Sequence, residues 1–150
     1  MKKMTILLFL MSAFSFRMIG TNNVLQSGQP VTDPIPAFVL GNFMDDYGIR
    51  YNITDSLWTQ KPGIRYHIIK WNTKEQWLIA KNDDKNPSEP GLYSRIDYMP
   101  FSNMKPFAWG FCLTVYNAKT DSIAEFSAKA DRGNPKKGCG GFPFSRMKRI

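Results

Sequence analysis

His67 is the only histidine in the 150-residue chain, so any imidazole chemistry rests on one side chain. A general base needs a partner to orient it and a substrate within reach. The sequence marks neither, and a structural or surface histidine is the simpler reading. Arg95 and Asp97 stand two apart, which on a strand puts them on one face. Such a pair can line a polar site, but it more often forms an ion pair or cross-strand contact. An enzyme centred on Asp97, Arg95 and His67 is a third-place reading, because no substrate class follows from it and no residue is assigned as catalytic. The adjacent acids Asp45-Asp46 would point to opposite faces of a strand. Asp83-Asp84 lie in an oxygen-rich turn that lacks the spacing and distal Glu of a calcium loop. With two Cys and one His, a zinc site is short of ligands. No metal and no cofactor are expected.

The two cysteines carry the firmest chemistry. Cys112 and Cys139 allow a single intramolecular pairing, closing a loop of about 27 residues, for which the chain-entropy relation gives about 3.5 kcal/mol. Two free thiols are the alternative. Around Cys139 the glycines 138, 140 and 141 permit close backbone approach, and reduction is expected to expose Phe142 and Phe144. The surrounding run, KKGCGGFPFSRMKR, mixes cations with Phe142, Phe144 and Met147. It reads either as a contact for an anionic lipid or envelope polymer, or as a stapled terminus packed on the domain. On the first reading, removing residues 146–150 weakens binding and leaves the fold intact.

Charge is distributed unevenly. The formal net charge is +8, yet residues 21–131 hold 11 basic against 12 acidic side chains, and residues 132–150 hold six basic and no acidic ones. A nucleic-acid protein usually spreads its cations over a folded face, so no nucleic-acid partner is expected. Residues 1–20 have the pattern of a signal peptide: Lys2 and Lys3, then an apolar stretch at 5–16, then small residues at Ala13 and Ser15. An uncleaved anchor or a buried first strand are the alternatives. Export to a secreted or periplasmic location would place both thiols where disulfides persist.

The elements that must position these residues are mostly strands. Residues 21–36 hold three prolines and read as an extended lead-in, followed by a single domain over 37–150. Period-two alternation appears at Tyr47/Ile49/Tyr51/Ile53, then at Ile64/Tyr66/Ile68 opposite Arg65, His67, Ile69 and Trp71. It recurs at Leu92/Ile96/Tyr98 and at Trp109/Phe111/Leu113/Val115, the last opposite Cys112, Thr114 and Tyr116. A short apolar run at 76–81 adds one more segment. Ser122-Ile123-Ala124-Glu125 fits a capping box, with Ile123, Phe126 and Ala130 at helical spacing and a stop at Gly133 and Pro135. A further strand competes for that segment. The expected fold is mainly β: an antiparallel meander curled into a small barrel, with one late C-terminal helix.

Gly41-Asn42-Phe43 opening the first strands, the meander, the late helix and the basic terminus together resemble a small lipocalin-like barrel. That family opens with Gly-x-Trp and has a late Arg packed on the Trp ring; Phe43 stands at the Trp position here, and Arg146 is the candidate Arg. The resemblance implies a binding cavity rather than an activity. The expected ligand set is Tyr66, Trp71, Trp77, Tyr98 and Trp109, with Arg95 and Asp97, although ordinary core packing competes for the aromatics. The leading expectation is a monomeric, secreted, non-enzymatic binder of a small apolar or amphipathic molecule. The alternative is an envelope interaction module that uses the basic terminus on an anionic polymer or membrane.

Overall fold

The computed structural model describes residues 33–150. The signal-peptide reading of 1–20 and most of the lead-in lie outside the described residues. A short 3₁₀ turn at Ala37–Val39 leads into eight strands: β1 (Gly41–Asp45), β2 (Arg50–Ile53), β3 (Leu57–Gln60), β4 (Ile64–Asn72), β5 (Trp77–Asn82), β6 (Tyr93–Pro100), β7 (Trp109–Ala118) and β8 (Ser145–Arg149). Each is antiparallel to the next, and β8 pairs back onto β1, closing an up-and-down barrel. One helix, α1 (Asp121–Ser127), lies between β7 and β8 and packs on the outside of β5, β6 and β7. Among the described residues, no helix is long and apolar enough to cross a membrane.

Inward-facing aromatics fill the barrel. Trp58 and Trp109 are essentially fully buried and meet Phe111 and Phe43 edge-on, with centroids 5.0 Å apart for Trp58–Phe111 and 5.2 Å for Phe43–Trp109. This geometry sets the positive ring edge against a negative face. Tyr51 joins at 5.5 Å from Phe111, and its hydroxyl donates to Asp45 at 2.9 Å. Asp45 also accepts from the amides of Tyr47 and Ile49, which fixes the β1–β2 turn. Asp46 does face the other way, as expected for a neighbour on a strand, and takes Arg146.

The arginine packed on Phe43 is Arg149, not Arg146. Its guanidinium lies 4.8 Å from the Phe43 centroid, and it donates to the carbonyls of Ala37 and Leu40, tying the 3₁₀ turn to the last strand. Arg146 lies instead over Phe107. Gly41 sits at φ +122°, and a Cβ there would fall 2.5 Å from Arg149 Nη1. The positive φ is what requires the glycine, and a Cβ there would also oblige the Arg149 guanidinium to shift.

Three further readings need correction. Residues 145–149 are not a detachable tail. They form β8, with Met147 wholly buried, so removing 146–150 would open the barrel. The helix is capped by Thr120, whose hydroxyl accepts from the Ile123 amide at 3.2 Å, rather than by Ser122. It ends at Ser127 and buries Ala124, leaving Ile123 and Phe126 outward. Finally, two of the three register shifts in the sheet overturn the expected alternation. One lies between Ile68 and Lys70 and brings Trp71 inward opposite Leu78. The other lies between Leu113 and Val115 and turns Val115 out to pack against α1.

Cys112 points outward from β7 and is bonded to Cys139, with Cα atoms 5.5 Å apart. The bond pins the segment between α1 and β8 across the outer wall. There Phe144 and Ala130 bury against Cys112. Phe142 is 73% exposed with the bond intact, so among the two phenylalanines only Phe144 depends on the staple for its burial.

Candidate functional site

The seven residues expected at a ligand site fall into two groups on opposite faces of the wall. Tyr66, Trp71, Tyr98 and Trp109 point into the barrel and belong to its core. Trp71 donates its indole N–H to the carbonyl of Asp55 at 2.7 Å and packs 6.0 Å from Tyr98. The Tyr98 hydroxyl and the Trp109 indole nitrogen are buried without a hydrogen-bond partner. Burial pushes the Tyr98 phenol up to about 12 and raises that of Tyr66. Burial, reinforced by the Asp45 carboxylate at its hydroxyl, raises Tyr51 further.

Trp77, Arg95 and Asp97 lie on the outside, beneath α1. Asp97 is wholly buried, and its two oxygens accept four hydrogen bonds: from Arg95 Nε (2.9 Å) and Nη2 (3.0 Å), Arg132 Nη2 (2.9 Å) and Thr114 Oγ1 (2.6 Å). That is the full acceptor capacity of a carboxylate. The bulge in β7 aims Thr114 at it. Arg95 also donates to the Glu125 carbonyl of α1 and stacks 4.7 Å over the Trp77 ring. Arg132 reaches the carbonyls of Gln76 and Tyr98. This network joins α1 and the stapled segment to the barrel. Asp97 has no free lone pair with which to act as a base. His67 is engaged elsewhere, with Nε2 2.7 Å from Asp83 Oδ2, and that contact together with the Lys85 amide holds Asp83 below its usual range.

The surface with ligand-like character lies between the β6–β7 loop and the stapled segment. A groove of about 410 Å³ is floored by Phe101, Met104, Pro143 and Phe144, with Tyr47 at one side. It runs into a second depression, of about 520 Å³, through the shared Phe101 and Met104. Lys136 and Arg146 line the first and Lys105 the second, against a single carboxylate, Asp46. Asp46 is already taken by Arg146 Nε at 2.8 Å. Lys105 and Lys136 have no ion-pair partner among the described residues. The basic-aromatic run of the sequence pointed to Lys136, Phe144 and Arg146. Tyr47, Phe101 and Met104 come from distant loops, and no local pattern marks them. No protein-family model matches the chain, and neither a curated protein nor a solved structure matches it.

Proposed function

We propose that this is a binding protein on a lipocalin-like barrel, exported to a secreted or periplasmic location, whose ligand is a small amphipathic anion held in the outer groove. The reading rests on one contrast: the barrel interior is filled by aromatic rings, whereas the groove joins an apolar floor to unpaired lysines. Its volume lies in the range of small-molecule sites, ~300–1,000 Å³. An apolar chain would lie along Phe101, Met104 and Pro143, and its anionic head would meet Lys136 or Lys105. The lipocalin-like assignment draws support from Gly41 and from Arg149, which bridges Phe43 and the 3₁₀ turn. Export draws support from the disulfide, a bond that persists in oxidising compartments.

Titration with a fluorescent medium-chain fatty acid, with native mass spectrometry for stoichiometry, tests the reading. One molecule should bind, Lys136→Glu should weaken binding about tenfold, and Met104→Trp should abolish it. No binding of any apolar probe, or binding indifferent to Met104→Trp, sinks the proposal.

A second reading is favoured by Phe142, largely exposed beside Lys136 and Lys137: the same segment touches an anionic envelope surface. Cosedimentation with anionic vesicles that falls steeply with salt, and is lost in Phe142→Ser, would select it.

A further inference from the structure

The charge balance of residues 21–131, 11 basic against 12 acidic side chains, is not kept on the outer wall of the barrel. Phe43, Tyr51 and Trp58 point inward, so the residues alternating with them stand outside. Strand register sets these in rows. One row runs Lys148, Met44, Arg50 across β8, β1 and β2. Lys61 continues it from the β3–β4 turn, its amide donating to the Arg50 carbonyl at 2.9 Å. The next row runs Asn42, Asn52, Thr59, Arg65 across β1 to β4. No carboxylate occupies an outward position on β1, β2, β3, β4 or β8. At the border, Asp83 is held by His67 and Asp46 by Arg146. Lys148, Arg50, Lys61 and Arg65 have no ion-pair partner among the described residues. Like charges opposite each other destabilise a sheet. Arg50 and Lys61 stand in that relation, with no acid from the wall to relieve it.

We propose that this wall is a docking surface for an anionic polysaccharide, laid across the strands along the row from Lys148 to Lys61. Charge complementarity carries the assignment, since the missing carboxylates would come from the partner. The row spans three strand spacings, about 14 Å, which exceeds one sugar ring and suits a polymer. The second row adds neutral polar groups beside the cations. Asn52 Nδ2 donates to Asn42 Oδ1 at 2.9 Å, which leaves the Asn42 amino group and the Asn52 carbonyl for sugar hydroxyls. A nucleic acid fits less well. Single strands stack on aromatic side chains, and the rows hold none. Duplex grooves admit a helix or a two-stranded ribbon, whereas this is the side of a closed barrel. A membrane takes up exposed apolar side chains, and those of this protein, such as Phe126 and Phe142, lie outside the rows. The rows share no residue with the outer groove, so the proposal does not depend on the ligand proposed there.

Binding of the full chain to immobilised heparin tests the surface, with dextran as a neutral glycan and single-stranded DNA, duplex DNA and anionic vesicles as competitors. Heparin should bind with an affinity that falls steeply as salt rises, and dextran should not bind. Arg50→Gln with Lys61→Gln should raise the dissociation constant at least tenfold while leaving circular dichroism unchanged. Should that variant misfold, Lys61→Gln alone, at an exposed turn position, should still weaken binding about threefold. Asn42→Ala with Asn52→Ala alters no charge and should weaken binding several-fold with the same salt dependence. Lys136→Gln with Lys137→Gln, outside the rows, should change little. No binding of heparin at physiological salt overturns the proposal. So does an equal loss in the Lys136 and Lys137 variant, which would move the contact to the C-terminal segment. Binding unchanged in the Asn42 and Asn52 variant means that only charge is read, and it overturns the assignment to a sugar polymer. Tighter binding of either DNA or of the vesicles overturns it in favour of that partner.

Discussion

Ile96 and Asp97 are neighbours in β6, equally buried, and they face opposite surroundings. Ile96 joins an interior of Trp, Tyr and Phe rings, whereas Asp97 sits beneath α1 at the centre of two guanidinium groups and a hydroxyl. The interior is held chiefly by aromatic edges against faces, with the Tyr98 hydroxyl and the Trp109 indole nitrogen left without hydrogen-bond partners. The outer wall has pieces to attach, namely a seven-residue helix and a long connection. It attaches them with ion pairs, carbonyl contacts and a disulfide. The buried Arg95–Asp97 pair and Arg132 attach these pieces, and the outer groove lies beside the attached segment. The sharpest way to break this division is at the strand that belongs to both sides. Truncation after Phe144 removes β8 and exposes Trp109, while the stapled segment stays tethered by the disulfide and Arg132. The expected loss is on the order of the whole stability of such a domain, ~5–15 kcal/mol. A cooperative urea transition in the truncated chain would show that the terminus is dispensable after all.

The outer network is the next largest target. Asp97→Ala leaves Arg95, 1% exposed, without its carboxylate, and an uncompensated buried charge costs about 3–5 kcal/mol. Replacing both partners, Arg95→Met with Asp97→Leu, should recover much of that loss, because the pair's own desolvation disappears with it. Denaturant melts of the single and double variants check this. A double variant as unstable as the single would mean that Arg132, rather than Arg95, carries the dependence on Asp97.

The same contrast explains what was legible in the sequence. Alternation at Tyr51/Ile53 and at Trp109/Phe111/Leu113 reported the barrel directly, since a two-sided wall needs period two. The cysteines were legible because only one pairing existed. Strict period two puts Trp71 and Val115 on the wrong faces, because single-residue bulges shift the alternation and nothing at Ile69 or Thr114 announces one. β8 was hidden by its composition: Ser145-Arg146-Met147-Lys148-Arg149 alternates correctly, but with one apolar residue it reads as a charged tail. The outer groove was legible only in its C-terminal half. Its other half is assembled from the β1–β2 and β6–β7 loops, and only the closed barrel brings those together.

The interior should reveal itself at high pH. Tyr51, Tyr66 and Tyr98 all have raised phenol pKa values, first because of burial. In the unfolded chain a phenol ionises near 10, so above that pH unfolding releases protons and stability falls as pH rises. The contribution is complete below pH 10, and for Tyr98 it is lost as pH approaches about 12. The phenolate absorbance of these three tyrosines should therefore rise together with loss of near-ultraviolet dichroism. Phenolate appearing for these three residues while the fold persists would show that water reaches the interior.

The smallest effect belongs to the clasp between the two ends of the barrel, where inner and outer chemistry meet. Arg149 lies over Phe43 and donates to two carbonyls of the preceding turn, and Gly41 leaves room for its guanidinium. Arg149→Met keeps the apolar stem and removes the cation, at an expected cost of about 1–2 kcal/mol. Gly41→Ala should also destabilise, through the positive φ and through the collision with Arg149 Nη1. Only the second part vanishes when the guanidinium is gone. In a double-mutant cycle, Gly41→Ala should therefore cost less on the Arg149→Met background than in the native chain. Strict additivity would mean that the glycine answers to its backbone alone, and that the arginine has room to move aside.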